Sequence, residues 1–128
     1  MNTTILVAVT DIFFYTKVRD ALRPQGYTLE RIRNQDEVAA KTASAQPAAL
    51  ILNMNDLAVD AFKALETIQS LPALHALPIL AFANHEEVDT WRRAKELGVT
   101  KIVSRNEFSA RTKDLVEELI HAQPSVQP

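Results

Sequence analysis

Five short segments of this sequence have the composition of β-strands. Four of them are largely apolar: residues 5–9 (ILVAV), 50–52 (LIL), 79–83 (ILAFA) and 101–103 (KIV). Apolar runs of this length are typical of parallel strands that are buried on both faces. The fifth segment, residues 27–32 (YTLERI), alternates apolar and polar residues. That alternation predicts a strand with one wetter face, near an edge of the sheet.

Apolar residues recur at helical spacing between these strands. The four stripes are Phe14, Val18 and Leu22; Phe62, Leu65, Ile68 and Gln69; Val88, Trp91 and Ala94; and Phe108, Leu115 and Leu119. Helix stop signals follow the first stripe at Pro24 and Gly26, and the second at Pro72. Gly98 ends the third. Residues 35–45 (QDEVAAKTASA) are alanine-rich and polar, which predicts a short, exposed helix.

Strand and helix therefore alternate five times. This order predicts an α/β, flavodoxin-like, doubly wound (βα)5 three-layer sandwich with a parallel five-stranded sheet of order 2-1-3-4-5. In such a sheet the functional crevice lies between the carboxyl ends of strands 1 and 3, which here fall at Thr10, Asp11 and Asn53. We expect one domain over residues 1–122 and a tail or linker over residues 123–128, where apolar periodicity is lost.

Composition excludes several other classes of protein. The chain has 128 residues, 47% of them apolar, which is enough for one buried core. It has no cysteine, so disulfide scaffolds and thiolate chemistry are excluded. A net charge of −2 with interspersed signs offers no basic field for nucleic acid. Without an apolar stretch long enough for a bilayer or a basic leader, we expect a cytoplasmic protein that does not bind membranes.

Four phrases of the sequence together carry a family resemblance. They are ILVAVTD, NMNDLAVDAFKAL, LPALHALPILAFA and ELGVTKIVSRNEF. Thr10, Asn53, Ala83 and Arg105 follow one another at intervals of 43, 30 and 22 residues. In this order and spacing, nearly the whole chain resembles the receiver domain of bacterial two-component response regulators. The resemblance implies a role in two-component signalling or a phosphorelay.

The resemblance also assigns site positions. The family's phosphoacceptor aspartate, at the end of strand 3, corresponds to Asn53, and its pair of Mg²⁺-binding acids corresponds to Val9 and Thr10, next to Asp11. The family's hydroxyl residue at the end of strand 4 corresponds to Ala83. Each replacement removes a nucleophile, a metal ligand or a phosphoryl contact.

Two further positions of the family's switch also differ. The family's lysine corresponds to Arg105, and its switch aromatic to Ile102. A guanidinium beside a neutral Asn53 needs another anion, either Asp11 or a carboxylate or other anion from a ligand or partner, and of these we expect Asp11.

These differences imply a divergent pseudo-receiver that lacks the phosphoacceptor. We expect no phosphorylation, no Mg²⁺ or other cofactor, no catalytic residue and no enzymatic activity. Such a module would act through protein-protein interaction, and the resemblance implies a histidine kinase, another regulator or an output domain as partner. It also implies a homodimer through the helix 4, strand 5 and helix 5 face.

Two other functions stay open at this level. The first is an active receiver with a relocated phosphoacceptor, for which Asp56 and Asp11 are the nearby carboxylates. The second is a small-ligand or flavin-binding protein, because flavodoxin-like sheets bind mononucleotides at the same crevice. The loop TDIFF has no glycine and supplies few elements of a phosphate cradle.

Simpler interpretations exist for the same residues. Asn53 is a good turn former, Asp11 a good helix N-cap and Arg105 an ordinary solvated charge. Trp91 either anchors its helix on the sheet or belongs to a partner surface.

The first helix opens with a run of four large apolar residues at positions 12–15, and one helical face cannot bury them all. We expect Phe14 to face the core and Phe13 and Ile12 to lie at the rim of the crevice. There they either form a partner-binding spot or fill the vacated metal pocket. The three histidines lack paired spacing, and none is assigned to a metal.

Overall fold

The protein is described by a computed structural model that covers residues 3–121, so the predicted tail lies outside the described residues. The strands are β1 (Thr4–Ala8), β2 (Thr28–Arg31), β3 (Ala49–Asn53), β4 (Ile79–Ala83) and β5 (Lys101–Ser104). The α-helices are α1 (Ile12–Leu22), α2 (Glu37–Ala45), α3 (Ala61–Gln69), α4 (Val88–Glu96) and α5 (Arg105–His121). Short 3-10 turns occupy Arg23–Gln25 and Pro72–Leu74.

The sheet is parallel throughout and its strand order is β2-β1-β3-β4-β5. The predicted fold and strand order are thus confirmed. Ala8 is paired with Leu52, and Asn53 with Phe82. This register brings the carboxyl ends of the three central strands to one edge of the sheet.

Helices cover both faces of the sheet and form two apolar layers. Residues of α1 and α5 pack on one face, and residues of α2, α3 and α4 pack on the other. Every residue of β3 and β4 is buried. Each large apolar side chain buried in this way contributes about 1.5–3 kcal/mol relative to exposure. Polar groups are consequently displaced to the strand ends.

The edge strand β2 follows the predicted alternation, since its residues are exposed and half-buried in turn. The predicted core stripe of α5 is confirmed, since Phe108, Leu115 and Leu119 are buried. In the predicted stripe of α1, Val18 and Leu22 are buried and Phe14 is half-buried. Within residues 3–121, no helix is both long and apolar enough to cross a membrane.

Two helices differ from their predicted exposure. Helix α2 was expected to be exposed, but it buries Val38 and Thr42 against the core. In α4 the predicted stripe is wrong at Val88, which is 69% exposed. Val88 is the first residue of α4 and precedes the part of the helix that packs on the sheet, so only Ala94 of that helix is buried.

We predict that Gly98→Ala lowers the free energy of unfolding by about 2–3 kcal/mol. Gly98 has φ of +99°, and an added Cβ would collide with the Gln69 side-chain amide, which donates to the Leu97 carbonyl. About 1–2 kcal/mol comes from the left-handed backbone and the rest from the displaced hydrogen bond. Gly26→Ala is the matched control in urea denaturation, because its φ is +95° but its Cβ would meet open space. Equal losses would contradict a contribution from Gln69.

Candidate functional site at the carboxyl ends of the strands

Asn53 ends β3 and directs its side chain back onto its own loop. The residue is 3% exposed, and its Oδ1 accepts a hydrogen bond from the backbone N–H of Asn55 at 2.9 Å. The backbone N–H of Asp56 donates to the Asn53 carbonyl at 3.2 Å. These bonds form a turn of the kind that asparagine favours at strand exits. The turn interpretation of Asn53 is confirmed.

The Asp56 carboxylate is held by Thr10, which lies across the crevice. The Thr10 N–H donates to Asp56 Oδ1 at 2.8 Å, and the Thr10 hydroxyl lies 3.0 Å from Oδ1 and 2.8 Å from Oδ2. Hydrogen bonds to an ionised acceptor are roughly twice as strong as neutral ones. The loop after β1 is therefore tied directly to the loop after β3.

The same carboxylate also organises the start of α3. Asp56 Oδ2 accepts from the backbone N–H groups of Ala58 and Val59, each at 3.0 Å. Both carboxylate oxygens are consequently engaged, with donors from two separate loops. Asp56 is half-buried, which limits competition from water.

Asp11 caps the first helix. Its Oδ1 accepts from the N–H of Phe13 at 2.8 Å and from the N–H of Phe14 at 3.3 Å. This is the usual bonding of an aspartate N-cap, and the N-cap interpretation is confirmed. Two N–H groups at the start of α1, those of Phe13 and Phe14, are thereby occupied.

Arg105 contacts aromatic rings. Its guanidinium lies 4.4 Å from the centroid of the Phe14 ring and 5.9 Å from that of Phe82. Phe82 stacks on Phe14 and Phe108 with centroid distances of 5.1 and 4.3 Å. The expected ion pair with Asp11 is wrong: no ion pair within residues 3–121 includes Arg105. The Asp11 carboxylate is used as a cap, and a weakly hydrated guanidinium is stable on a ring face.

A second bridge joins the loop after β3 to the loop after β4. The Asn55 amide donates to Glu87 Oε1 at 2.9 Å, and the Asn84 amide donates to Glu87 Oε2 at 3.1 Å. The Thr90 hydroxyl donates to the same carboxylate at 3.2 Å. These hydrogen bonds, that from Asn55 first, hold the pKa of Glu87 below its ordinary value. These donors stabilise the ionised carboxylate of Glu87 relative to its protonated form.

The remaining family positions lie in the core. Val9 and Ala83 are fully buried and Ile102 is 7% exposed. Ala83 offers no hydroxyl to the crevice, and Ile102 offers no aromatic ring. The structure thus places Thr10, Asn53 and Asp56 together at the crevice, while Val9, Ala83 and Ile102 contribute only packing.

The donor set at the crevice does not fit Mg²⁺. Among the described residues, the loops after β1 and β3 bring two carboxylates to the crevice. Asp11 uses its Oδ1 to cap α1, and both oxygens of Asp56 already accept hydrogen bonds. Mg²⁺ requires near-octahedral coordination with anionic oxygen ligands. Within residues 3–121, no group of three or more His, Asp or Glu side chains is placed to hold a metal.

The three candidate partner-surface residues differ in exposure. Ile12 is 55% and Phe13 80% exposed, so both lie at the surface as expected and neither fills a pocket. Phe14 is half-buried against the core. Trp91 is half-buried, packs on the core and donates its indole N–H to the Asn84 carbonyl at 2.9 Å. This geometry anchors α4 to the loop after β4.

Sequence reasoning missed both bridges. Asp56 was considered as an acceptor of phosphate, whereas its bonding to Thr10 spans 46 positions of sequence. Asn55, Asn84 and Glu87 were not singled out at all. The available signal was modest: Glu87 directly precedes an amphipathic helix, and asparagines end the strand runs at positions 53 and 84.

We compared the sequence and the structure with those of known proteins. No protein-family model and no curated protein matches the sequence. Solved structures of response-regulator receiver domains match closely in shape. The phosphorylated cyanobacterial phytochrome response regulator RcpA superposes with a TM-score of 0.83 at 16% identity, covering 95% of this chain and 96% of its own.

Two receiver domains from other bacteria agree. That of a response regulator from Bermanella marisrubri has a TM-score of 0.82 at 15% identity, covering 94% of this chain and 99% of its own. The receiver domain of a modulated diguanylate cyclase from Desulfovibrio desulfuricans has a TM-score of 0.79 at 16% identity, and the match covers 99% of this chain and 100% of that chain. The chain therefore has the flavodoxin-like fold of response-regulator receiver domains.

We predict that Thr10→Val lowers the free energy of unfolding by about 1–2 kcal/mol. The change removes the hydroxyl donor that contacts both oxygens of the half-buried Asp56 carboxylate, which then keeps only backbone N–H donors. Thr28→Val is the control, because Thr28 is exposed on the edge strand. It should change stability by less than about 0.5 kcal/mol. Urea denaturation measures both, and equal effects would argue against the Thr10 bridge.

We predict that the Glu87 carboxyl titrates below pH 4.5 in NMR. Because its folded pKa is lowered, the stabilisation by this bridge is complete above that pH and is lost as pH falls through the folded pKa. Asn55→Ala should raise the pKa of Glu87, since the hydrogen bond from Asn55 is the largest cause that lowers this pKa. Asn106→Ala removes an exposed amide elsewhere at this edge and should leave the pKa of Glu87 unchanged. If Asn55→Ala left the pKa of Glu87 unchanged, this result would argue against the Asn55–Glu87 hydrogen bond.

Proposed function

We propose that this chain is an atypical, pseudo-receiver signalling module that is not phosphorylated and acts through protein-protein interaction in a two-component-type regulatory pathway. The observation that carries the proposal is the bonding of Asp56. This carboxylate, three positions after Asn53 in the same loop, accepts hydrogen bonds from Thr10, Ala58 and Val59. A nucleophile whose lone pairs are bound to donors is poorly placed for attack on phosphorus.

The chemistry of the neighbouring residues supports the same proposal. Phosphoryl transfer depends on metal and positioned charge to offset the charge of the donor. Asn53 is a neutral amide in a turn, and Arg105 lies over Phe14. Among residues 3–121, the crevice carboxylates of Asp56 and Asp11 thus already accept hydrogen bonds, and the Arg105 cation contacts an aromatic ring.

The two alternatives have less support. A relocated acceptor requires Asp56 or Asp11 to attack phosphorus, but Asp56 is bound as described and Asp11 caps α1. A flavin or other phosphate-bearing ligand requires free N–H groups at the start of α1, and the Asp11 carboxylate occupies those of Phe13 and Phe14. Neither function gains a specific observation from the structure.

We further propose a cytoplasmic location and protein partners such as a histidine kinase, another regulator or an output domain. A homodimer through α4, β5 and α5 is supported by the mixed charges that α4 exposes. Asp89 pairs with Arg92 at 2.9 Å, and Lys95 lies further along the helix. Charges of both signs on one helix allow pairing between two copies related by a two-fold axis.

The test is intact-mass spectrometry after incubation with acetyl phosphate and Mg²⁺. We expect no added phosphoryl group, because Asp56 is bound by donors and Asp11 caps α1, and because within residues 3–121 no group of three or more His, Asp or Glu side chains is placed to hold a metal. A receiver domain of known activity, treated in parallel, serves as the positive control. Mg²⁺ should also leave the fluorescence of Trp91 unchanged.

A phosphoryl adduct would overturn the proposal. Its loss in Asp56→Asn or Asp11→Asn would then identify the relocated acceptor. Asp20→Asn is the matched control for these variants, because Asp20 is exposed within α1 and pairs only with Arg19 among residues 3–121.

A further inference from the structure

The exposed large apolar residues of the described chain share one location. Four such residues occur within residues 3–121: Ile12, Phe13, Leu57 and Val88. All four lie at the carboxyl edge of the sheet, in or directly after the loops that follow β1, β3 and β4. Scattered exposed apolar residues are ordinary, but here all four lie at one edge of the sheet.

The two hydrogen-bond bridges join the loops that carry these residues to one another. The Thr10–Asp56 bridge joins the loop that precedes Phe13 to the loop that contains Leu57. The Asn55–Glu87 bridge joins that same loop to the start of α4 at Val88. A surface that is fixed before binding loses less conformational entropy when a partner docks.

The charge of these loops is strongly one-sided. Residues 9–11, 54–60 and 84–87 contain five carboxylates and no lysine or arginine, although the whole chain has a net charge of only −2. Asp56 and Glu87 are used in the bridges. Asp11, Asp60 and Glu86 are exposed, and none of them forms an ion pair within residues 3–121.

We propose that this apolar, acidic edge docks a protein segment that is both basic and apolar, such as an amphipathic helix with Lys or Arg flanking a Leu-rich face. The apolar residues supply buried area and the carboxylates supply complementary charge. The proposal rests on the proposed function, because it names the partner of an interaction module. Carboxylates would repel a second copy of the same edge, and they would likewise repel an anionic membrane or nucleic acid.

The probe is a synthetic amphipathic Leu/Lys peptide of about 18 residues, roughly five helical turns. A Leu/Glu peptide with the same leucine positions is the control for charge. Binding to ¹⁵N-labelled protein is followed by NMR chemical-shift changes. We expect the Leu/Lys peptide to shift amides of residues 11–13, 55–60 and 84–89 in a saturable way, with weaker binding at higher salt. The Leu/Glu peptide should not bind.

Variants separate the apolar and charged contributions. Phe13→Ser combined with Leu57→Ser should weaken binding at least about tenfold, because central apolar contacts carry most of the energy of an interface. Glu86→Lys should also weaken binding. Glu96→Lys is its matched control: both residues are exposed, but Glu86 lies in the loop two residues before α4, whereas Glu96 is the last residue of that helix. All four substituted side chains are exposed, so circular dichroism should show an unchanged fold.

Two outcomes would overturn the inference: no saturable shifts at this edge, or equal weakening by Glu86→Lys and Glu96→Lys. The mass-spectrometry test is independent of both. Absence of an adduct together with absence of peptide binding would refute the docking edge alone. An adduct together with edge-specific peptide binding would refute the unphosphorylated state and retain the docking edge.

Discussion

The three central strands are buried on both faces, so their side chains must be apolar until the chain leaves the sheet. Asn53 is the first polar side chain along β3, and it appears at the last position of that strand. Parallel pairing then places every strand exit at the same edge. Polar residues that are distant in sequence therefore meet at this edge. They form hydrogen bonds with one another, because the apolar core beneath them offers no hydrogen-bond partners.

At this edge, hydrogen bonds join the loops that a metal ion would join in the receivers that the sequence resembles. The Thr10 hydroxyl and N–H reach the Asp56 carboxylate directly. Such a bridge is made only of the protein's own donor and acceptor groups. Arg105 completes the change, since its guanidinium rests on the Phe14 ring and helps to close the face that α1 and α5 cover. The loops at the crevice are therefore joined by the protein's own side chains.

The fold could be predicted from sequence because its signals are local and repeated. Apolar runs and helical stripes fixed the five strands, their order and the edge position of β2. Local rules also identified Asp11 as an N-cap. Contacts between loops could not be predicted in this way: the partner of Asp56 was unknown, and Arg105 was assigned to Asp11 because charge was considered without the aromatic stack. Val88 was placed in the core because a helical stripe does not show where the sheet beneath it ends.

The single tryptophan of the chain lies at the end of the second bridge. Its indole N–H donates to the carbonyl of Asn84, whose side chain binds Glu87, and Glu87 in turn binds Asn55. Indole emission depends on the polarity and hydrogen bonding around the ring. The molecule thus contains a built-in optical reporter of the loop after β4, so occupation of the neighbouring surface is readable from the unlabelled protein.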